Sequence, residues 1–236
     1  SYRILNERTA KRADHVITVG SDIKIHLVAK GIPADKISVI PSGVDAQAFR
    51  PREGNKARSC LFAGSLIERK GVEYLLGAMS QMPQEFSAVI AGDGPRRNSL
   101  MKMAEKERIG NRIVFTGAIA PDQLAKLYSE ASFFILPSLS EGLPITILEA
   151  MSCGCPVIAT RVSAIGDAVV DGYNGLLIRP RDVDDLREKM MVLLQDPELR
   201  DRMGRNARET IESTYTWQSV ARRIMTVYER VLADRR

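Results

Sequence analysis

The sequence predicts an α/β fold built on a doubly wound parallel sheet, and three observations carry that expectation. Short apolar runs rich in Val, Ile and Phe alternate with longer stretches of helical periodicity. Most of these runs are apolar at nearly every position, as strands covered on both faces are. The chain has 236 residues, 44% hydrophobic and 27% charged, so a sizeable core can be buried.

Strands are predicted at 15–20, 37–41, 59–64, 86–92, 112–117, 132–137, 156–160 and 176–178. Helices are predicted between them at 22–30, 72–80, 96–108, 121–130 and 145–153, with Pro121 suited to a first helical turn. Alternation of this kind calls for a parallel sheet with helices on both faces. The last 55 residues change character and read as three helices, 183–194, 198–213 and 217–232. In the last, Val220, Ile224, Val227, Tyr228 and Val231 keep one apolar face, read as core packing.

Residues 49–58 are polar and carry Pro51, Gly54 and Asn55, the composition of a linker. Two strands and about two helices precede it, too little for an independent doubly wound domain. The chain is therefore read as the tail of one domain followed by all of the next. Ser1 is not a natural start, and the true N-terminus is expected to lie upstream.

The net charge of +5 suits anionic ligands such as nucleotide diphosphates, or a membrane surface. It is spread along the chain, which argues against a nucleic-acid footprint. Cys60, Cys153 and Cys155 form no disulfide framework and have only His15 and His26 for imidazole company. They are read as small apolar fillers in a reducing cytoplasm. No apolar stretch approaches the roughly 18 residues that span a bilayer.

The stretch 136–160, LPSLSEGLPITILEAMSCGCPVIAT, is the most informative. A strand ends at Pro137, a helix opens near Pro144, and a helix N-terminus outside a parallel strand favours a phosphate. Glu141 falls in the loop and Glu149 in the helix, two carboxylates able to accept from sugar or ribose hydroxyls. Taken alone, Glu141 is equally a helix cap and Glu149 an exposed surface residue. In Gly64–Gly71, GSLIERKG, Arg69 and Lys70 approach another helix start, where they would pair with a diphosphate or simply stand in water. Gly92-Asp93-Gly94-Pro95 is a third strand-to-helix turn; it lacks the third glycine of a dinucleotide fingerprint.

The segments IPSGVDAQAF, LFAGSLIERKGVEYLL, AGDGP, VFTGAI, PSLSEGLPITILEAMSCGCPVIAT and DGYNGLLIRPRDVDDL, in that order, cover nearly the whole chain. They resemble the C-terminal domain of family-four, or group 1, glycosyltransferases, retaining enzymes of the GT-B fold. The terminal TWQSVARRIMTVYERVL is similar to the helix that in this family crosses back onto the N-terminal domain. The resemblance implies a remnant of the N-terminal (acceptor) domain over 1–50 and a linker over 51–58. A Rossmann-like nucleotide-sugar-binding domain follows over 59–215, and the crossing helix over 216–236.

The resemblance also assigns roles. Glu141 contacts the transferred sugar and Glu149 the ribose. Amides around Gly142, Leu143, Ile145 and Thr146 bind the distal phosphate. Lys70 neutralises the leaving diphosphate, Gly64 lets the backbone approach the donor, and Gly117 to Ile119 lie near the base. Ser65 stands where the family commonly has arginine, with Arg69 a candidate substitute; Asp167 stands where it often has glutamate.

What the resemblance implies as a whole is a hexosyltransferase of polysaccharide or glycolipid biosynthesis that needs no metal and no cofactor. It would move sugar from a nucleotide-diphosphate sugar to a saccharide, lipid or small-molecule acceptor held by the N-terminal domain. It would sit in the cytoplasm or at the cytoplasmic face of a membrane, with this chain alone inactive in transfer. The rival readings are a nucleotide-sugar-binding module, a GT-B-type epimerase, which the glutamate pair disfavours, and an oxidoreductase, which the absent dinucleotide loop disfavours.

Overall fold

The computed structural model describes residues 8–54 and 56–234. The first part of the expected 1–50 remnant, Asn55 of the linker and the last two residues of 216–236 lie outside the described residues.

Two strands, β1 (Val16–Thr18) and β2 (Ile37–Val39), pair in parallel around α1 (Ser21–Ala29). After them comes a six-stranded, all-parallel sheet: β3 (Ser59–Ala63), β4 (Ser87–Ala91), β5 (Ile113–Gly117), β6 (Phe133–Leu136), β7 (Val157–Thr160) and β8 (Gly175–Ile178). Its order is β5-β4-β3-β6-β7-β8. The connecting helices are α2 (Val72–Ser80), α3 (Arg97–Lys106), α4 (Pro121–Glu130), α5 (Ile145–Ser152) and the short α6 (Ile165–Ala168). Then follow α7 (Val183–Gln195), α8 (Pro197–Thr210) and α9 (Trp217–Ala233).

The doubly wound architecture is as expected, and all eight strands and every anticipated helix are present. β3, β6, β7 and β8 are buried at every position, which is why their sequences run apolar except for Ser59 and Thr160 at the strand ends. β5, at the sheet edge, alternates instead and leaves Val114 exposed. Two features went unanticipated. α6 is a single turn, too short for periodicity to register. The expected helix 198–213 ends at Thr210 and passes into a π-helical turn, Ile211–Tyr215, whose Ile211 and Tyr215 are buried. The turn aims the Tyr215 hydroxyl at the Asp167 carbonyl, 2.7 Å away.

The three cysteines are free and buried. Burial raises the thiol pKa of Cys153 to about 12 and of Cys155 to about 11, so neither forms a thiolate near neutrality. Partly buried Arg208 ties distant pieces together. Its guanidinium donates to the carbonyls of Ala46, Phe49 and Ser152 and to Glu212, so the C-terminal end of α5 is fixed to the chain entering the second sheet.

Two glycines hold the loops at the carboxyl edge of the sheet in contact. Gly71 has φ 65°, and a β-carbon there would lie 2.1 Å from the Pro137 carbonyl oxygen. A β-carbon on Gly92 would lie 1.9 Å from the Gly64 carbonyl oxygen. We expect Gly71→Ala to cost about 2–4 kcal/mol, since a backbone clash adds to the left-handed penalty of roughly 1–2 kcal/mol. Gly172, at φ 77° with nothing within 4 Å, isolates that penalty. Urea unfolding of both alanine variants checks the difference; equal losses would mean that Gly71 carries no packing constraint.

Candidate functional site

β3 stands where the winding reverses, with β4 on one side and β6 on the other. The loops leaving β3 and β6 therefore part in opposite directions, and the crevice between them is the expected ligand site of an open parallel sheet. Both loops come from predicted motifs. Hydrogen bonds bind them to each other and to the loop after β4: the Leu139 amide donates to the Arg69 carbonyl at 2.7 Å, and the Leu66 amide to the Asp93 carbonyl at 2.8 Å. The Gly92 amide reaches the Gly117 carbonyl at 2.8 Å, adding the loop after β5.

The crevice opens into a cleft of about 420 Å³. Gly64, Ser65, Ile119, Thr146 and Glu149 of the anticipated residues line it. Gly117 lies directly before that wall at φ 71°, with open space where its side chain would be. Ile145 is half exposed at the first position of α5, and Gly142 is exposed in the loop before it. Leu143 turns inward and is buried in the core, so only its backbone is available to a ligand. No side chain caps α5. Its first amides are thus the orphan donors of a helix start.

Glu141, Lys70 and Arg69 meet beside this cleft. Lys70 Nζ lies 2.6 Å from Glu141 Oε1, and Arg69 Nη1 lies 3.1 Å from Oε2. The Glu141 and Lys70 side chains are only 6% and 12% exposed, against 53% for Arg69. Arg69 also donates to the Ser140 carbonyl at 3.0 Å. Glu141 is therefore no helix cap: its carboxylate ties the β6 loop to the basic loop.

Glu149 has a different setting. Half-buried on the cleft wall, its carboxyl is pushed above the usual range by desolvation, and a hydrogen bond from the Tyr128 hydroxyl at 3.1 Å works against that rise. The two glutamates do not touch each other's partners, so a single helix-and-loop motif delivers one clamped and one cleft-facing carboxylate.

Sequence reasoning did not single out Leu124, Tyr128 or Ser138. Leu124 and Tyr128 read as ordinary core positions of α4; only the fold puts Leu124 on the cleft wall and Tyr128 behind it, against Glu149. Ser138 Oγ and Thr146 Oγ1, in the loop after β6 and the first turn of α5, are buried without a hydrogen-bond partner among the described residues. Among the described residues no group of three or more His, Cys, Asp and Glu side chains gathers to hold a metal ion. An Asp-x-Asp spacing does occur, at Asp182-Val183-Asp184. Asp182 spends its carboxylate capping α7 and pairing with Arg179 at 2.9 Å. A second hollow, of about 400 Å³, lies by the C-terminal end of α5, but its Arg52 and Arg208 are already paired with Asp122 and Glu212. No described helix is long and apolar enough to cross a membrane.

Residues 44–210 match the family described as glycosyl transferases group 1, and residues 1–48 match glycosyltransferase family 4. The chain is 33% identical over 230 residues to the sulfoquinovosyl transferase of Arabidopsis thaliana, covering 91% of this chain and 44% of that protein. Its structure resembles the sucrose-phosphate synthase of Thermosynechococcus elongatus, with TM-score 0.89, 27% identity, and 98% and 61% of the two chains covered. It also resembles Anabaena HepE, solved in complex with UDP, with TM-score 0.89, 21% identity, and 96% and 68% covered. The latter likeness is one of fold. The chain spans about half the length of the curated relatives it matches.

Removing one partner of a buried ion pair leaves the other uncompensated, at roughly 3–5 kcal/mol. Lys70→Met should fall at the low end, about 3 kcal/mol, because Arg69 still reaches Glu141. Adding Glu141→Gln should recover most of that loss. Denaturant titration of the two single variants and the double variant measures the coupling; additive losses would show that the pair is not energetically linked.

Proposed function

The chain belongs to the group 1 glycosyl transferases, and from that premise we propose that it forms the donor-binding part of a retaining, metal-independent hexosyltransferase. Its substrate is a nucleotide-diphosphate sugar; the acceptor is a saccharide, lipid or small molecule. The observation that carries the proposal is the cleft at the switch point, where an uncapped helix start, two basic side chains and two carboxylates converge.

Each group has work to do in such a reaction. Breaking the bond between the anomeric carbon and the diphosphate leaves electron deficiency on the sugar and an electron pair on the leaving phosphate. Lys70, Arg69 and the amides of Gly142, Leu143, Ile145 and Thr146 would stabilise that leaving charge, a preorganised electrostatic role that stands in for a divalent metal. Glu149 would accept from the ribose hydroxyls. Ala118 and Ile119, beside Gly117, would flank the base, with Gly64 and Ser65 under the diphosphate. Glu141 would take the sugar hydroxyls, exchanging part of its bond to Lys70 for them when the diphosphate claims the lysine. UDP bound to HepE and the sugar-transferring relatives support this reading.

The acceptor platform would come from the first domain, of which residues 1–50 are the part present. Catalysis needs both reactants held in one cleft, and orientation is worth on the order of 7–11 kcal/mol of barrier. We therefore assign the chain by itself donor binding without efficient transfer.

Calorimetry with UDP, GDP and ADP should find at least one nucleotide bound with a sub-millimolar Kd, more than about 4 kcal/mol of binding. EDTA should leave that affinity unchanged. Silence from all three at millimolar concentration, or a strict demand for magnesium or manganese, would sink the respective part of the proposal.

The two glutamates should separate. Glu149→Gln should weaken nucleotide and nucleotide sugar alike by about 1.5–3 kcal/mol, the worth of a charged hydrogen bond. Glu141→Gln should leave the bare nucleotide bound at least as tightly, since Lys70 is released, and should remove the added affinity of the sugar. The same calorimetry decides; equal losses on the bare nucleotide would contradict the assignment.

A further inference from the structure

Tyr128 belongs to α4, the helix that carries the chain across from β5 to β6, and it is fully buried. Phe49 and Phe134 hold its ring edge-on, with centroids 6.2 and 5.4 Å away at interplanar angles of 65° and 71°. A phenylalanine would fill that slot as well. The hydroxyl adds nothing to apolar packing, and its burial is unfavourable unless bonded. It donates to Glu149 Oε2 at 3.1 Å. Glu149 belongs to another helix, α5, and lines the cleft. With Oε2 engaged, Oε1 is the oxygen the carboxylate has left to offer a ligand.

We propose that Tyr128 is a positioning residue: its hydroxyl fixes the Glu149 carboxylate in the orientation that receives the ribose hydroxyls of the nucleotide. The inference rests on the assignment of Glu149 to ribose made above. The aromatic clamp makes the hydroxyl a rigid donor, because the ring cannot swing away between Phe49 and Phe134. A carboxylate on a half-buried wall has several rotamers open to it, and one fixed donor selects among them. Tyr128 touches no substrate atom itself.

The test uses the nucleotide among UDP, GDP and ADP that the wild-type chain binds most tightly, together with its 2′,3′-dideoxy counterpart. The latter lacks the hydroxyls Glu149 would read. Tyr128→Phe should weaken the ribonucleotide about tenfold, the lower end of what a charged hydrogen bond carries. It should leave the dideoxy nucleotide within about twofold, and in a Glu149→Gln background it should add no more than about twofold to the loss. Loss of both ligands to the same degree would make the residue a packing element only. No loss, or full additivity with Glu149→Gln, would overturn the proposal.

A second readout needs no variant that might lose its fold. In protein labelled with 3-fluorotyrosine, the Tyr128 fluorine resonance should move on saturation with the ribonucleotide and stay put with the dideoxy form. A resonance that answers both alike, or neither, overturns the proposal. If wild-type protein binds none of the three nucleotides, the donor reading itself falls, and the Tyr128 inference falls with it. That result is distinct from a Tyr128→Phe chain that binds as wild type does.

Discussion

The parallel pairing of β3 with β6, Cys60 beside Phe133 and Leu61 beside Phe134, is the contact on which the site depends. On one side of it the chain winds outward through β4 and β5; on the other through β6, β7 and β8. Any sheet that reverses in this way leaves its two central loops diverging over a gap. The gap must then be kept at a fixed width. Here backbone packs directly on backbone: Gly71 lies against the Pro137 carbonyl and Gly92 against that of Gly64, and no residue with a β-carbon fits at either place. The cleft walls are set by main chain rather than by adaptable side chains.

Charge then sorts itself within that frame. Two carboxylates lie one helix-and-loop apart in sequence, yet each has its own environment. Glu141 is clamped by a lysine and an arginine on the neighbouring loop. Glu149 faces a phenol instead of a cation, and desolvation rather than ion pairing dominates its proton affinity. Two cations engage both oxygens of Glu141; a single neutral donor leaves one oxygen of Glu149 free. The difference arises from where α4 and the basic loop fall relative to α5, which is a property of the sheet order and of no local motif.

That distinction explains what the sequence made legible. Strands buried on both faces announce themselves as near-continuous apolar runs; β6 is Phe-Phe-Ile-Leu and β7 is Val-Ile-Ala-Thr, whose one polar residue ends the strand. The glycine-flanked loops likewise follow from local backbone demands, whereas the Glu141–Glu149 pair takes its meaning only from the family resemblance. The Lys70–Glu141 bond spans 71 residues and the Tyr128–Glu149 bond pairs two helices, so neither leaves a periodic or spacing signal. Tyr128 is the clearest case. At its position in α4 the core needs only a large ring, and the hydroxyl has a reason only once α5 is in place. Single-turn α6 was invisible for the same cause: its one turn is held by tertiary contacts rather than by an amphipathic stripe.

Those tertiary contacts also fix how the first residues meet the second sheet. Asp167, in α6, accepts from the Ser21 amide at 2.8 Å and the Ser21 hydroxyl at 2.7 Å, at the N-terminal turn of α1. A carboxylate there meets free amides and the positive end of a helix. A β-carbon on Gly20 would lie 2.4 Å from that of Ala164, so the Gly20 backbone sits directly against the Ala164 methyl. Ser21 follows the carboxyl end of β1, and Asp167 follows the carboxyl end of β7. The two sheets therefore present the same edge to each other. The chain re-enters at a second point, where the Val44 amide donates to the Tyr215 carbonyl at 2.8 Å and α9 leaves to pack Val220 and Val227 on Ile40. With contacts at the α6 edge and at the start of α9, the orientation of β1 and β2 toward the cleft is set by hydrogen bonds on both sides of the connection. The polar, proline-bearing stretch at 51–54 carries none of that burden alone, which makes it compatible with a defined cleft.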